Sequence, residues 1–209
     1  MKMAKIALKT MEKMARGEHA VIVMLGDSIT EPNYHVRGHM NYAGLLHVRL
    51  LEKFGRRLLA VNAGVSGNTA QDLIDRLERD VFRFTPDLVT IMIGINDCGA
   101  AVPLEAYAAN LERLIRSIRN QGAEVLLMTP HPLMTENSDE ASKYMTYSQY
   151  ITKVRDTSLN LQVPLCDIYE AWGTLVDPEK HSALMNDSLH PNERGHRVIA
   201  DIVFRALAI

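Results

Sequence analysis

The sequence lacks most features that mark secreted, membrane-bound or nucleic-acid-binding proteins. Only two of its 209 residues are cysteines, Cys98 and Cys166, which is too few for a disulfide framework and predicts a reduced, cytoplasmic protein. No apolar run approaches the ~20 residues that a membrane span needs, and no signal peptide is recognisable. The 23 basic and 25 acidic residues nearly balance, which predicts neither nucleic acid nor a membrane surface as a partner.

The chain has the length and composition of one globular domain. At ~150 residues per domain, residues 1–209 are expected to fold as a unit, and the 47% of apolar residues is enough for a core. Met3, Ile6, Met11 and Met14 recur at helical spacing, which predicts an N-terminal helix over residues 1–17. The 11 methionines are expected to pack in the core, with a homo-oligomer interface as the alternative.

Short apolar runs alternate with longer segments of helical period. Because the runs are continuously apolar, both faces of each predicted strand should be covered, as in a parallel sheet. The predicted strands are 20–25, 58–61, 88–93, 125–128 and 163–166, and the predicted helices are 41–54, 69–83, 103–121, 139–160 and 192–207. This alternation predicts a doubly wound α/β/α sandwich, in which Pro164 marks an edge strand or a strand start.

Small, polar or titratable residues follow these runs, at the sheet edge where parallel α/β proteins bind ligands. Ser28, after the first run, is a candidate nucleophile for an ester carbonyl. His190 is the candidate base, and Asp187, three residues earlier, is close enough to orient its imidazole. The backbone N–H groups of Ser28 and Gly67 and the side-chain amide of Asn96 are candidate donors to the oxyanion.

Each of these signals alone also has a structural explanation. Ser28 is a typical turn and helix-cap residue, Gly67 can serve a left-handed turn, and Asp187 can cap the last helix. Their combination in separate loops, all at the edge where ligands bind, favours catalysis.

The ordered set of motifs resembles the SGNH (GDSL) hydrolases. Its four blocks are Gly26-Asp27-Ser28-Ile29-Thr30, the Gly67 loop, Gly94-Ile95-Asn96-Asp97 and Asp187-x-x-His190-Pro191, in the family's order. Residues 61–69 and 91–97 are similar to intracellular bacterial acetylxylan esterases and related carbohydrate esterases. The resemblance implies a flavodoxin-like, five-stranded parallel sheet in the order 2-1-3-4-5, and the same triad and oxyanion donors as above.

We therefore expect a serine carboxylic-ester hydrolase that works through an acyl-enzyme on a small-molecule ester, without a cofactor. By the resemblance, its substrates are short acyl esters of sugars or oligosaccharides, above all acetyl esters. A lysophospholipase or thioesterase of the same family is the alternative. A flavodoxin-like binding module without catalysis is the alternative from another class.

Four residues near the candidate site are predicted to contact the substrate. Asp27 and Asn68 adjoin the candidate catalytic groups, Tyr34 lies in the loop after Ser28, and His131 follows the fourth strand. The polar and aromatic loop 31–42 suits sugar hydroxyls better than a long acyl chain, with an ordinary solvated loop as its structural alternative.

Other chemistries have weaker support. His181, His190 and His196 show no metal-ligand spacing, so no metal is predicted. Ser66 does not fit the Gly-x-Ser-x-Gly nucleophile motif, because residue 68 is asparagine. Cys98, close to Asn96, is expected to pack rather than react, since no activating neighbour is evident.

Overall fold

The centre of the molecule is a five-stranded, all-parallel sheet in the order β2-β1-β3-β4-β5, as predicted. The computed structural model describes residues 5–32, 34–135 and 138–209, and at Tyr34 the backbone alone. The strands are β1 (Ala20–Gly26), β2 (Leu58–Gly64), β3 (Leu88–Met92), β4 (Glu124–Met128) and β5 (Leu165–Cys166). All five residues of β3 are buried, which is why the run shows no alternation in the sequence.

Helices pack on the sheet in two groups, one containing α2, α8 and α9 and the other α3, α6 and α7. The α-helices of the described residues are α1 (Lys9–Ala15), α2 (Tyr42–Phe54), α3 (Ala70–Asp75), α4 (Leu77–Asp80), α5 (Ile95–Gly99), α6 (Leu104–Asn120), α7 (Tyr147–Leu161), α8 (Ile168–Leu175) and α9 (Glu193–Leu207). In the part of the chain that the structure describes, no helix combines the length and apolar character needed to cross a bilayer.

The edge strand β5 explains the proline in the last apolar run. It contains only two residues and begins directly after Pro164. Proline cannot donate to a neighbouring strand, but its carbonyl can accept, and Leu127 N–H donates to Pro164 O at 3.0 Å.

The N-terminal helix is shorter than predicted, because α1 begins only at Lys9. Before it, Ile6 N–H donates to the carbonyl of Ala206 at the end of α9, which holds this segment outside the helix. The backbone N–H groups of Lys9 and Thr10 donate to the carboxylate of Glu124 at 2.8 and 2.7 Å. This carboxylate from β4 satisfies the first free donors of α1 and marks its start.

Two further helix predictions differ from the structure, and two short helices have no counterpart among the predictions. The predicted helix 69–83 is interrupted at Arg76, which separates α3 from α4. The predicted helix 139–160 begins only at Tyr147, after a series of turns. The short helices α5 and α8 were not predicted, since neither is long enough to show a clear helical period.

The strand register places three of the predicted loops at one level of the sheet. Gly26 at the end of β1 pairs with Gly64 on one side and with Met92 on the other. A Cβ on Gly26 would lie only 2.7 Å from the carbonyl oxygen of Met92 and closer still to Thr30 Oγ1. Only glycine therefore allows the strands to approach this closely where the loops diverge.

Candidate active site

The structure brings the three candidate triad residues together. Ser28 Oγ lies 3.0 Å from His190 Nε2, although the two residues are 162 positions apart in the chain. His190 Nδ1 lies 3.0 Å from both carboxylate oxygens of Asp187. Since a carboxylate can only accept, we assign the proton of the neutral imidazole to Nδ1, which leaves Nε2 as the acceptor for the Ser28 hydroxyl.

A hydrogen-bonded turn holds the Asp187 carboxylate against the His190 imidazole. Asp187 Oδ1 accepts the backbone N–H groups of Leu189 and His190 at 2.8 and 2.7 Å. Partial burial raises the pKa of Asp187, but these N–H groups and the His190 imidazole lower it. The resulting pKa lies below its ordinary value. Pro191 follows His190 and disfavours helical backbone there, so α9 begins beyond the site.

The candidate oxyanion donors lie on the three loops that leave β1, β2 and β3. Gly67 has a φ of +82°, the left-handed region that glycine adopts without strain. Within the described residues its backbone N–H has no protein acceptor. The side-chain amide of Asn96 donates to the carbonyl of Asn68 at 2.9 Å. An amide has two N–H donors, so one remains available to a ligand.

The comparisons with known proteins agree with this geometry. Residues 24–198 match the model of the GDSL-like Lipase/Acylhydrolase family, which is most of the chain. The chain belongs to this family. It is accordingly a carboxylic-ester hydrolase of the SGNH/GDSL type, as predicted.

Several named proteins are similar to this chain over nearly its whole length. An acetylxylan esterase from Geobacillus stearothermophilus is 29% identical and covers 93% of this chain and 96% of its own. An arylesterase from Vibrio mimicus is also 29% identical and covers 89% and 87%. The crystal structure of an acetylxylan esterase from G. stearothermophilus superposes with a TM-score of 0.75 at 27% identity, over 92% of this chain and 96% of that one.

Two of the residues predicted to contact the substrate have side chains that are buried within this GDSL hydrolase, and the contacts themselves stay predictions. Asp27 is 1% exposed, and its carboxylate accepts Ile29 N–H at 3.0 Å, which shapes the turn that carries Ser28. His131 is completely buried, packs against Trp172, and lies with Nε2 2.9 Å from the carbonyl of Leu189. Burial lowers the pKa of His131 to about 3, so the neutral ring supports the loop of the candidate base from inside.

The other two predicted substrate contacts have different outcomes. Asn68 is half-buried, and its Oδ1 accepts a hydrogen bond from Arg76 Nε at 2.7 Å, while its contact with the substrate stays a prediction. The backbone of Tyr34 begins a 3-10 turn, Tyr34–Val36, and its side chain lies outside the described part of the structure.

His35 is a site neighbour that the sequence analysis missed. Its ring stacks on that of His190, with centroids 3.6 Å apart and planes 10° from parallel, and its Nδ1 lies 3.7 Å from Asp187 Oδ2. Burial and the nearby His190 lower the pKa of His35. The only signal in the sequence was the position of His35 in the loop after Ser28, because the contact itself joins opposite ends of the chain.

The side chains of His35, Asp187 and His190 lie close enough together to hold a metal ion. Ligand atoms of His35, Asp187 and His190 lie within 4.8 Å of one another. Histidine binds a metal through a lone pair in the ring plane, at about 2 Å. Stacked, nearly parallel rings cannot both direct such a lone pair at one ion, so the observed arrangement fits acid–base chemistry better than metal binding.

The two cysteines are buried, and the other histidines considered as metal ligands make protein contacts of their own. Cys98 and Cys166 are both free and buried, and burial raises the pKa of each thiol. His196 accepts the backbone N–H of Tyr42 through Nδ1 at 3.3 Å, inside the core. Among the described residues, neither His181 nor His196 belongs to a cluster that could ligate a metal.

Two buried carboxyl groups lie beneath the loops of the site. Burial raises the pKa of Asp27 to about 7, against the effect of the hydrogen bond from Ile29, and the nearby Asp97 raises it further. Burial likewise raises the pKa of Asp97 to about 6, although Ala70 N–H donates to its carboxylate. Both groups therefore release their protons at higher pH in the folded chain than in the unfolded chain.

Replacing Asp27 by asparagine should weaken the pH dependence of stability. The unfolded chain loses this proton near its ordinary pKa of 3.8 and the folded chain only near 7, so rising pH between these values favours unfolding. The difference in unfolding free energy between Asp27→Asn and wild type should therefore increase by about 2 to 3 kcal/mol, in favour of the variant, when the pH rises from about 5 to about 8. Urea unfolding at both pH values measures the difference.

Asp75→Asn is the matched control for this experiment, because Asp75 is exposed and both buried acids stay in place. Its stability relative to wild type should be the same at both pH values. A constant difference between Asp27→Asn and wild type would show that the buried carboxyl does not change its protonation in this range.

Proposed function

We propose that Ser28, His190 and Asp187 form the catalytic triad and that the preferred substrates are acetyl esters of sugars or oligosaccharides. The observation that carries the triad is the 3.0 Å contact between Ser28 Oγ and His190 Nε2. A hydroxyl is a weak nucleophile until a base at this distance takes its proton.

The proposed reaction passes through an acyl-enzyme. Ser28 Oγ attacks the acyl carbon while its proton moves to His190 Nε2. The tetrahedral intermediate collapses, the bond to the alcohol breaks, and the alcohol leaves with the proton from His190. Water then gives a proton to His190 and attacks the acyl carbon, and Ser28 leaves with that proton to release the acid.

Negative charge on the acyl oxygen needs donors that are in place before the reaction. We assign this role to the backbone N–H groups of Ser28 and Gly67 and to the amide of Asn96. The Gly67 N–H, which has no acceptor among the residues that the structure describes, and the second N–H of Asn96 support the assignment. Fixed donors of this kind stabilise the transition state more than the neutral ester.

The acetyl preference is supported by similarity to the G. stearothermophilus acetylxylan esterase, which covers nearly the whole of both chains. The polar loop that follows Ser28 supports sugar recognition, because hydroxyl groups need hydrogen-bonding partners. An enzyme for long acyl chains would instead need an extended apolar groove beside the nucleophile.

A series of nitrophenyl esters from acetate to dodecanoate tests the acyl preference. We expect kcat/KM to be highest for acetate and to fall by about tenfold or more at octanoate, because a pocket shaped for a methyl group excludes longer chains. Acetylated xylo-oligosaccharides should release acetate under the same conditions, which tests the alcohol side.

The control for this series is Ser28→Ala at the same concentration, which corrects for spontaneous hydrolysis. A preference for octanoate or longer esters, or faster hydrolysis of lysophospholipids than of acetylated sugars, would contradict the acetyl preference. Those results would favour the lysophospholipase or thioesterase alternative and would leave the triad assignment unchanged.

A further inference from the structure

Arg76 is an unusual residue for its surroundings. It is 7% exposed, and within the described residues it is the only arginine or lysine that is buried. Burying a guanidinium is costly unless it is well paired, and such a buried charge is weak evidence for a purely stabilising role. Arg76 lies at the break between α3 and α4, and its side chain contacts the loops that carry the candidate oxyanion donors.

The guanidinium joins two of the loops that carry the candidate donors. Its Nη2 donates to the carbonyl of Gly26 at 3.0 Å, two residues before Ser28. Its Nε donates to Asn68 Oδ1 at 2.7 Å, in the residue after Gly67. The planar group therefore links the first and second loops through two hydrogen bonds, in addition to the direct bond from Val65 N–H to the Gly26 carbonyl at 3.1 Å.

The third loop is joined through Asn68. The backbone carbonyl of Asn68 accepts the Asn96 amide at 2.9 Å, so one residue links Arg76 to the side-chain donor. The Nη1 of Arg76 donates to Asp80 Oδ2 at 3.0 Å, which anchors the guanidinium from the opposite side. All three nitrogens of the guanidinium thus have a partner.

We propose that Arg76 is a positioning residue for the oxyanion donors of this esterase. It touches no reacting atom, and this inference rests on the donor assignment of the proposed function. By binding both the Gly26 carbonyl and the Asn68 side chain, Arg76 holds the Ser28, Gly67 and Asn96 donors in their mutual arrangement. Transition-state stabilisation is sensitive to this arrangement, since a displacement of about 1 Å can cost on the order of 100-fold in rate.

Arg76→Lys is the most direct test, because lysine keeps the charge but has no planar fork to span the two loops. We expect kcat for nitrophenyl acetate to fall by about 10- to 100-fold while KM stays within about threefold. The affinity for a boronic acid that forms a tetrahedral adduct should weaken by the same factor as kcat. A structural role alone would not link these two quantities.

Arg79→Lys is the matched control. Arg79 is in the same segment and binds the same Asp80 carboxylate, but its side chain is 68% exposed. Its substitution should leave kcat and boronic acid affinity at wild-type values. Wild-type kcat in a folded Arg76→Lys variant, or loss of kcat without loss of boronic acid affinity, would overturn the proposal.

Asn68→Ala is the second variant, needed if Arg76→Lys does not fold. It removes the acceptor of Arg76 Nε but keeps the backbone carbonyl that binds Asn96. We expect kcat to fall by about tenfold with KM nearly unchanged, and an unchanged kcat would also overturn the proposal.

A double-mutant cycle separates this inference from the proposed function. If Arg76 acts partly through Asn96, then Arg76→Lys should cost at least about threefold less in an Asn96→Ala background than in wild type. Fully additive effects would overturn the positioning role. A wild-type kcat in Asn96→Ala would instead contradict the donor assignment itself.

Discussion

Replacing Ser28 by alanine is expected to lower kcat for nitrophenyl acetate by about 10⁴- to 10⁶-fold. Alanine removes the oxygen that lies 3.0 Å from His190 Nε2 and has no group that can form an acyl-enzyme. The folded state should persist, because Ser28 is half-buried at a loop and the turn is shaped by Asp27. Initial rates and the melting temperature of the purified variant are the measurements.

Labelling by a serine-directed fluorophosphonate gives a second readout for the same variant. The wild-type chain should take up one equivalent of the probe and Ser28→Ala none. Ser66→Ala is the control, since Ser66 lies in the neighbouring loop, and it should be labelled like wild type. An unlabelled wild-type chain would favour a binding module without catalysis, and labelling of Ser28→Ala would place the nucleophile elsewhere.

Replacing Asp187 by asparagine should lower kcat by about 10³- to 10⁴-fold. The carboxylate accepts the His190 Nδ1 proton and two backbone N–H groups at once. An amide offers one oxygen, and its NH₂ group would meet the ring nitrogen. The imidazole would then carry its proton on Nε2 instead of Nδ1. The nitrogen that faces Ser28 could therefore no longer act as a base.

Asp75→Asn is the surface control for this variant and should keep wild-type kcat. The melting temperature of each variant separates loss of activity from loss of folding. If Asp187→Asn kept more than about a tenth of wild-type kcat, the imidazole would not depend on this carboxylate for its tautomer. The triad assignment would then reduce to a Ser28–His190 pair.

Much of the scaffold could be predicted because its signals are local. The continuous apolar runs of β1, β3 and β4 reflect burial on both faces, and the structure confirms the parallel sheet and its order. The motif residues follow strand ends, where the register of Gly26 with Gly64 and Met92 brings their loops to one edge. Motif spacing was therefore enough to locate the site.

The sequence does not show where a polar side chain points. Asp27 and His131 stand beside motif residues, yet both turn into the core and bond to the backbone of neighbouring loops. Arg76 lies within a segment of apparent helical period, but its side chain turns inward and the helix breaks there. Such directions depend on packing against distant elements rather than on neighbouring residues.

The sequence by itself determined the buried strands and the motif residues, since hydrophobic period and motif spacing are properties of short segments, and the order of the strands was implied by the resemblance that those motifs carry. Only the tertiary structure decided which side chains meet. The Ser28–His190 contact, the stacking of His35 on His190 and the bridge from Arg76 to Gly26 and Asn68 each join segments that lie apart in the chain. Such contacts form when the packed core fixes the relative positions of the loops, and no local pattern encodes that geometry.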